Sequence, residues 1–175
     1  YNAHDLDDGL RSGLLEPSQL EDIKIWQRMC AMLGLNPLRL SELERRVLVR
    51  ELLGFVITDI VKTTDERIAS QNIKTLEDVR DASSVLVGHS AVVATELREL
   101  KSFLYQNFYQ HYRVMRQVHK AEHILTGLFN AFTAKPAMLP PSFRSRVELH
   151  GLERVVCDYI AGMTDRFAMD EFNRL

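Results

Sequence analysis

The chain has 175 residues, of which 46% are hydrophobic and 26% charged, and its formal net charge at pH 7 is −2. This balance is typical of an ordinary globular domain with a sizeable core, and it excludes the strongly basic surface of many nucleic-acid-binding proteins. No apolar run approaches the roughly 20 residues that a membrane-spanning helix needs. Cys30 and Cys157 form no CxxC pair, so we expect a reducing compartment, the cytoplasm, rather than a disulfide framework.

The first predicted helix lies within residues 1–13. On a helix, Tyr1, Asp5 and Asp8 share one face, because they are spaced i, i+4 and i+7. A phenol and carboxylates that face one way can grip a polar ligand. The alternative is an acidic, solvated first turn that complements the helix dipole. His4 and Asp5 are adjacent and point about 100° apart on a helix, so the dipeptide alone is not expected to hold a metal.

Two S-x-x-E capping boxes predict the next helices. Ser18 with Glu21 predicts a helix start just before residue 23, and Ser41 with Glu44 begins a stretch that we expect to run towards Ala69. Apolar residues recur at helical spacing along this stretch: Leu48, Leu52, Phe55, Val56, Ile57, Ile60 and Val61. So wide an apolar face predicts a central, largely buried helix.

A third long helical stretch follows, with a break near His111, and Pro136 and Pro140–Pro141 stop it because proline lacks an amide proton. The last helix is predicted from a regular apolar stripe: Leu152, Val155, Val156, Tyr159, Ile160, Met163 and Phe167. Arg154, Asp158 and Asp165 lie on another side of it, as structural ion-pair or pocket residues. We therefore predict one all-α domain over residues 1–175, a multi-helix fold with long amphipathic helices.

Two further clusters suggest chemistry. His119, Glu122 and His123 match the H-x-x-E-H pattern of some zinc peptidases, but no third ligand accompanies them, and an amphipathic helix with a polar face is the favoured interpretation. Basic residues around the proline-rich loop can meet phosphate oxygens or simply form a solvated loop: Lys135, Arg144, Arg146 and Arg154.

Three segments carry a resemblance to a known family. Residues 1–15 resemble the helix that follows the last metal-binding aspartate in deoxyguanosine triphosphate triphosphohydrolase-like proteins of the HD-domain superfamily. Residues 100–111 are similar to that family's "LK-x-FLY" helix. Residues 157–172 are similar to its C-terminal signature and contain the run D-Y-I-A-G-M-T-D-R. The chain therefore resembles the C-terminal portion of such a protein.

This resemblance implies a bacterial enzyme that hydrolyses deoxynucleoside triphosphates to deoxynucleosides and triphosphate. It implies a divalent metal, such as magnesium or manganese, held by one histidine, a His-Asp pair and a final aspartate, all of which would precede Tyr1. No catalytic residue and no metal ligand are then expected within this chain, and the isolated fragment is predicted to be inactive. Tyr1 matches the tyrosine near the phosphates and sugar, and Asp5 matches the aspartate that binds the sugar 3′-hydroxyl.

The expected partners are a deoxynucleoside triphosphate and further copies of the protein, since relatives in this family often form homo-oligomers. Neither a membrane nor a nucleic acid is expected as a partner. The alternative is a helical oligomerisation or interaction module without its own catalysis, which the long apolar helices also fit.

Overall fold

The computed structural model describes residues 1–175 and is all-α, which confirms the predicted fold class. Its helices are α1 (Asn2–Arg11), α2 (Lys24–Leu33), α3 (Glu42–Ser70), α4 (Leu76–Asp81), α5 (Ala91–Leu104), α6 (Tyr112–Ala134), α7 (Pro141–Arg144), α8 (Val147–His150), α9 (Leu152–Ala161) and α10 (Asp165–Arg174). Short 3₁₀ segments lie at Pro17–Leu20 and Pro136–Met138. None of the helices has both the length and the hydrophobicity needed to span a membrane.

The chain divides into two compact units, residues 1–111 and residues 112–175, and each has its own hydrophobic core. In the first unit, α1, α2, α5 and the first half of α3 surround the core. Trp26 is 1% exposed there, and its Nε1 donates a hydrogen bond to the carbonyl oxygen of Pro37 at 3.1 Å. The N–H group of the buried indole therefore has a hydrogen-bond partner, and its rings are packed in the core.

The start of α2 differs from the prediction. Ser18 does not cap it, because Ser18 lies inside the 3₁₀ segment that Pro17 begins. A proline at the first helical position favours a helix start there, and a capping box between Glu16 and Gln19 closes that segment instead. The predicted capping role of Ser18 and Glu21 was therefore wrong.

A carboxylate from a distant helix takes over that role. The backbone amide of Lys24, the first residue of α2, donates to Oε2 of Glu99 in α5 at 3.0 Å. The first amides of a helix have no partner within it, and a negative charge there also complements the helix dipole. Glu99 thus fixes where α2 begins and ties it to α5.

Helix α3 begins where the sequence predicts and ends at Ser70, close to the predicted end. The Glu44 amide donates to Ser41 Oγ at 3.3 Å, and the Ser41 amide donates to Glu44 Oε2 at 2.7 Å. This reciprocal pair is the predicted capping box. The bonds from Ser41 lower the pKa of the Glu44 carboxyl.

The predicted burial of α3 holds only for its first half. Leu48 and Leu52 are 1% and 2% exposed, whereas Ile57 and Val61 are 59% and 56% exposed. The fully buried residues of α3 end at Leu52, and Leu53, Phe55 and Val56 are partly buried against the same core. The prediction of a largely buried helix was therefore wrong for the half of α3 that follows Val56.

One buried ion pair joins α2 to α5. Glu96 is 5% exposed, and the Arg28 guanidinium binds it at two points: Nε to Oε2 at 3.0 Å and Nη2 to Oε1 at 2.5 Å. The side-chain hydrogen bond and the charge of Glu96 raise the pKa of Arg28. A buried carboxylate is tolerated here because a planar guanidinium matches both of its oxygens.

The second unit contains α6 to α10, with its core between α6, α9 and α10. Gln110 and His111 lie outside the helices, so the predicted break near His111 is confirmed, and α6 ends at Ala134 before Pro136, as predicted. Leu128 and Val155 are fully buried. Burying such a side chain contributes about 1.5–3 kcal/mol, so these residues hold the unit together.

The predicted last helix is two helices. Helix α9 ends at Ala161, and the Phe167 amide then donates to Thr164 Oγ1 at 3.3 Å at the start of α10. Phe167 is 41% exposed and does not continue the buried stripe of α9. The prediction was wrong because the threonine cap begins a new helix while the apolar spacing continues across the break.

Candidate functional site

The predicted polar face of α1 exists, although its members have different partners. Tyr1 is the N-cap residue and is fully exposed, and Asp5 is half-buried one turn further along. Asp8 is exposed and its Oδ1 accepts a hydrogen bond from Arg11 Nη2 at 2.7 Å. Asp8 therefore serves as a surface ion-pair residue, and the ligand-facing candidates on α1 are Tyr1 and Asp5.

Asp5 has a partner that the sequence analysis missed. The phenol of Tyr109, 104 residues away in the chain, donates a hydrogen bond to Asp5 Oδ2. This bond occupies Oδ2, one of the two carboxylate oxygens of Asp5. The pair also joins α1 to the segment after α5.

A π-helical turn at Tyr105–Tyr109 brings Tyr109 into this position. The Gln110 amide donates to the carbonyl oxygen of Tyr105 at 3.2 Å, which is the i to i+5 bond of a π-turn. A π-turn contains one residue more than an α-helical turn, so Tyr109 lies one turn after Leu104. Leu104 is fully buried in the core that also contains residues of α1. Regular α-helical spacing does not predict that Tyr109 reaches Asp5. The adjacent aromatic residues Phe108 and Tyr109 do not reveal the contact either, because such pairs are common.

The surroundings of the Tyr109 phenol keep it protonated. The hydrogen bond to Asp5, followed by burial and by the negative charge of Asp5, raises the pKa of Tyr109 from 10.0 to about 12. Tyr109 therefore donates to the Asp5 carboxylate throughout the physiological pH range.

A mainly apolar cavity of about 290 Å³ opens beside Tyr1. Its walls include Leu53, Val56 and Leu97, and His89 lies at its polar side. The Nδ1 of His89 lies 3.0 Å from Oδ2 of Asp59, which also accepts from the Ser90 amide at 3.1 Å.

Asp59 orients the His89 ring and caps the start of α5 at the same time. Burial opposes the ionisation of Asp59, but the bonds from Ser90 and His89 outweigh it, so the pKa of this carboxyl is lowered. Nothing in the sequence analysis singled out Asp59 or His89, since they lie 30 residues apart.

The predicted polar residues of the second unit serve mainly structural roles. Asp158 accepts from Arg154 Nε at 2.9 Å and from Arg146 Nη2 at 3.3 Å. Arg154 is 73% exposed, so this ion pair is at the surface and contributes little to stability. Asp165, at the start of α10, lines an open cleft of about 320 Å³ whose rim also carries Lys120. The structure thus gives Arg154 and Asp158 a shared ion pair and places Asp165 at a separate cleft.

The H-x-x-E-H pattern finds no support as a zinc site. The chain has no group of three or more His, Cys, Asp or Glu side chains placed to hold a metal ion. The His123 ring instead packs edge-on against Phe172, with ring centroids 5.3 Å apart. This contact gives His123 a packing role within the second unit.

Comparisons with known proteins agree with one another. Residues 87–174 match the phosphohydrolase-associated domain family. The chain is 45% identical over 170 residues to a deoxyguanosinetriphosphate triphosphohydrolase-like protein of Deinococcus deserti, and the match covers 97% of this chain and 45% of the relative. It is 44% identical to deoxyguanosinetriphosphate triphosphohydrolase-like protein 1 of Deinococcus radiodurans, with 97% and 46% covered. A protein of the same description from Geobacter metallireducens is 42% identical over 182 residues, with 100% and 46% covered. The chain thus spans about half the length of the curated relatives it matches.

Proposed function

Because this chain belongs to the phosphohydrolase-associated domain family, we propose that it is part of a hydrolase that converts a deoxynucleoside triphosphate and water to a deoxynucleoside and triphosphate. The names of its relatives support this substrate class. The observation that carries the proposal is the pair of Asp5 and Tyr109, which presents an oriented carboxylate beside the exposed Tyr1.

In this proposal, Asp5 binds the sugar and Tyr1 lies towards the phosphates. Tyr109 donates a hydrogen bond to Oδ2 of Asp5 and so fixes the orientation of the carboxylate. In this orientation, Oδ1 accepts a hydrogen bond from a sugar hydroxyl. Tyr1, one helical turn earlier, is free to contact the more polar end of the nucleotide. The chain therefore contributes binding and orientation of the substrate, which is the part of catalysis that positioning supplies.

A divalent metal belongs to the proposed activity. The acidic and histidine side chains here make no convergent cluster of three or more. We propose that the metal is held by parts of the enzyme other than these 175 residues. The 175-residue chain alone is then expected to release no triphosphate.

The test is steady-state triphosphate release by the full-length enzyme and its Asp5→Asn variant, on a deoxynucleoside triphosphate and on its 2′,3′-dideoxy analogue. A hydrogen bond to a charged group is worth about 1.5–3 kcal/mol, so we expect kcat/KM for the normal substrate to fall about 10- to 100-fold. The dideoxy analogue lacks the 3′-hydroxyl, so its kcat/KM should change little.

Asp8→Asn is the matched control, because Asp8 lies on the same helix and binds Arg11 at the surface. It should leave both substrates unaffected. Equal losses on both substrates in Asp5→Asn would show that Asp5 supports the fold rather than the sugar. Triphosphate release by the 175-residue chain, free of contaminating enzyme, would contradict its proposed dependence on further residues.

The second candidate function is a helical interaction module that assembles copies of the protein. The observation that favours it is the exposed apolar second half of α3, where Ile57 and Val61 are more than half exposed. We propose a homo-oligomer in the cytoplasm, where the free thiols of Cys30 and Cys157 fit a reducing environment. Assembly and hydrolysis are compatible in one enzyme.

A further inference from the structure

Arg45 is one of two charged residues that the fold buries, and it ties α3 to α1 within the first unit. It is 8% exposed, and its Nη1 donates a hydrogen bond to Oδ1 of Asp7. The other buried charge, Glu96, is paired with Arg28. A guanidinium taken out of water needs an opposite charge, and the loss of one partner from such a pair is strongly destabilising. Asp7 is therefore held firmly at Arg45.

The position of Arg45 is itself fixed by the start of α3. The backbone amide of Arg45 donates to the carbonyl oxygen of Ser41 at 3.0 Å, so Arg45 stands in the first turn, directly after the capping box. A cavity of about 460 Å³ opens beside Arg45, and Glu42 lies on its wall. Glu42 binds Arg46 at the surface instead. Asp7, from a different helix, is therefore the carboxylate that pairs with Arg45.

Asp5 and Asp7 lie at the two edges of the buried face of α1. Successive residues of a helix point about 100° apart, so these two carboxylates point about 200° apart, with Leu6 midway between them. Leu6 is 1% exposed in the core. The carboxylate at one edge binds the phenol of Tyr109, and the carboxylate at the other edge binds Arg45. Polar bonds therefore tie α1 on one side to the segment after α5 and on the other side to α3.

These two bonds together fix the rotation of α1 about its own axis. Apolar packing alone restrains such a rotation weakly, because the hydrophobic effect is not directional. A carboxylate about 5–6 Å from the helix axis moves about 2 Å when the helix turns by about 20°. A hydrogen bond of about 2.7–3.2 Å does not survive a shift of that size. Without Arg45, a polar bond holds α1 at one edge only, and the carboxylate of Asp5 loses its fixed direction.

We propose that Arg45 is a positioning residue for substrate binding, and that it acts through Asp7 by setting the direction in which α1 presents Asp5. This role rests on the proposed function, in which Asp5 binds the 3′-hydroxyl of the sugar. Arg45 acts at a distance from the sugar, since it binds the opposite edge of α1 from Asp5. A misplacement of about 1 Å can lower a rate about 100-fold, so a small rotation of α1 is enough to impair the reaction.

The test is kcat/KM of the full-length enzyme for a deoxynucleoside triphosphate, divided by kcat/KM for its 2′,3′-dideoxy analogue. In Arg45→Met and in Asp7→Leu we expect this ratio to fall about 3- to 30-fold, which is part of the loss that a misplacement of about 1 Å can cause.

The double variant Arg45→Met/Asp7→Leu separates positioning from stability. It removes both charges, so it should regain most of the Tm that each single variant loses. It should nevertheless keep the lowered ratio, because an apolar contact does not fix the angle of α1. A purely structural role of Arg45 predicts instead that the ratio and the Tm recover together.

Arg46→Met is the matched control, because Arg46 follows Arg45 on α3 and binds Glu42 at the surface. It should leave the ratio unchanged. The phenol of Tyr109 reports the angle of α1 without any substrate: its pKa of about 12 should fall in Arg45→Met, because its bond to Asp5 loosens.

The outcomes distinguish this role from the proposed function. If Asp5→Asn leaves the ratio unchanged, sugar binding by Asp5 fails, and positioning by Arg45 fails with it. If Asp5→Asn lowers the ratio but the Arg45 and Asp7 variants do not, the proposed function stands and Arg45 is not a positioning residue. A ratio that recovers together with the Tm in the double variant would overturn positioning in the same way.

Discussion

The bond between Asp5 and Tyr109 predicts a measurable change in the titration of one phenol. In Asp5→Asn the full negative charge is lost and only a neutral acceptor remains, so the pKa of Tyr109 should fall from about 12 towards its ordinary value of 10.0. Among the five tyrosines, the largest change is expected for Tyr109, because its phenol is the one that bonds Asp5.

The energetic size of the effect follows from the same bond. A rise in pKa from 10.0 to about 12 corresponds to at most about 2.7 kcal/mol. Tyr109 is 36% exposed, so solvent screens the interaction, and we expect roughly 1 kcal/mol. The folded pKa is the higher one, so the stabilisation is fully present below pH 10.0 and is lost as the pH rises towards about 12. At pH 7, Asp5→Asn should lower the Tm by about 2–4 °C.

The assay is NMR titration of tyrosine labelled with ¹³C at Cζ, which resolves each phenol, together with thermal unfolding at pH 7. Asp8→Asn should leave the Tyr109 titration unchanged, because Asp8 binds Arg11 instead. A Tyr109 that titrates near pH 10 in the unaltered protein would falsify the bond and, with it, the orientation of Asp5.

Two further predictions concern the cores. Arg28→Met leaves the Glu96 carboxylate buried without its partner and should lower the free energy of unfolding by about 2–3 kcal/mol. This loss is a little below the range for fully buried pairs, because Arg28 is 41% exposed. The double variant Arg28→Met/Glu96→Leu should recover most of the loss, and denaturant unfolding measures both variants. Leu128→Ala, at a fully buried position, should cost about 2–5 kcal/mol, whereas Leu149→Ala, at 80% exposure, should change the free energy of unfolding by less than about 0.5 kcal/mol. Equal effects of the two leucine variants would contradict the assigned core of the second unit.

Local signals in the sequence were enough for the elements whose ends depend on neighbouring residues. The capping box of Ser41 and Glu44 fixes the start of α3 through bonds between residues three apart. Pro136 marks the end of α6 because proline cannot extend a helix. Each of these devices acts within one turn, so spacing alone reveals it.

Long-range contacts explain what the sequence analysis missed. Lys24 is capped by Glu99, 75 residues away, and Asp5 is oriented by Tyr109, 104 residues away. No local pattern records such a contact, and the π-turn further displaces Tyr109 from regular helical spacing. The roles of Tyr1 and Asp5 as substrate-binding residues came from family resemblance and remain predictions.

Helix α5 has a practical consequence for how this region can be dissected. The family match begins at residue 87 and includes α5, yet Leu100 and Leu104 are fully buried in the core that α1 and α2 complete. The inherited sequence module and the folding unit therefore have different boundaries. A polypeptide cut at the family boundary would expose these leucines and the Glu96 carboxylate to water, so it should aggregate where one that starts before α1 does not.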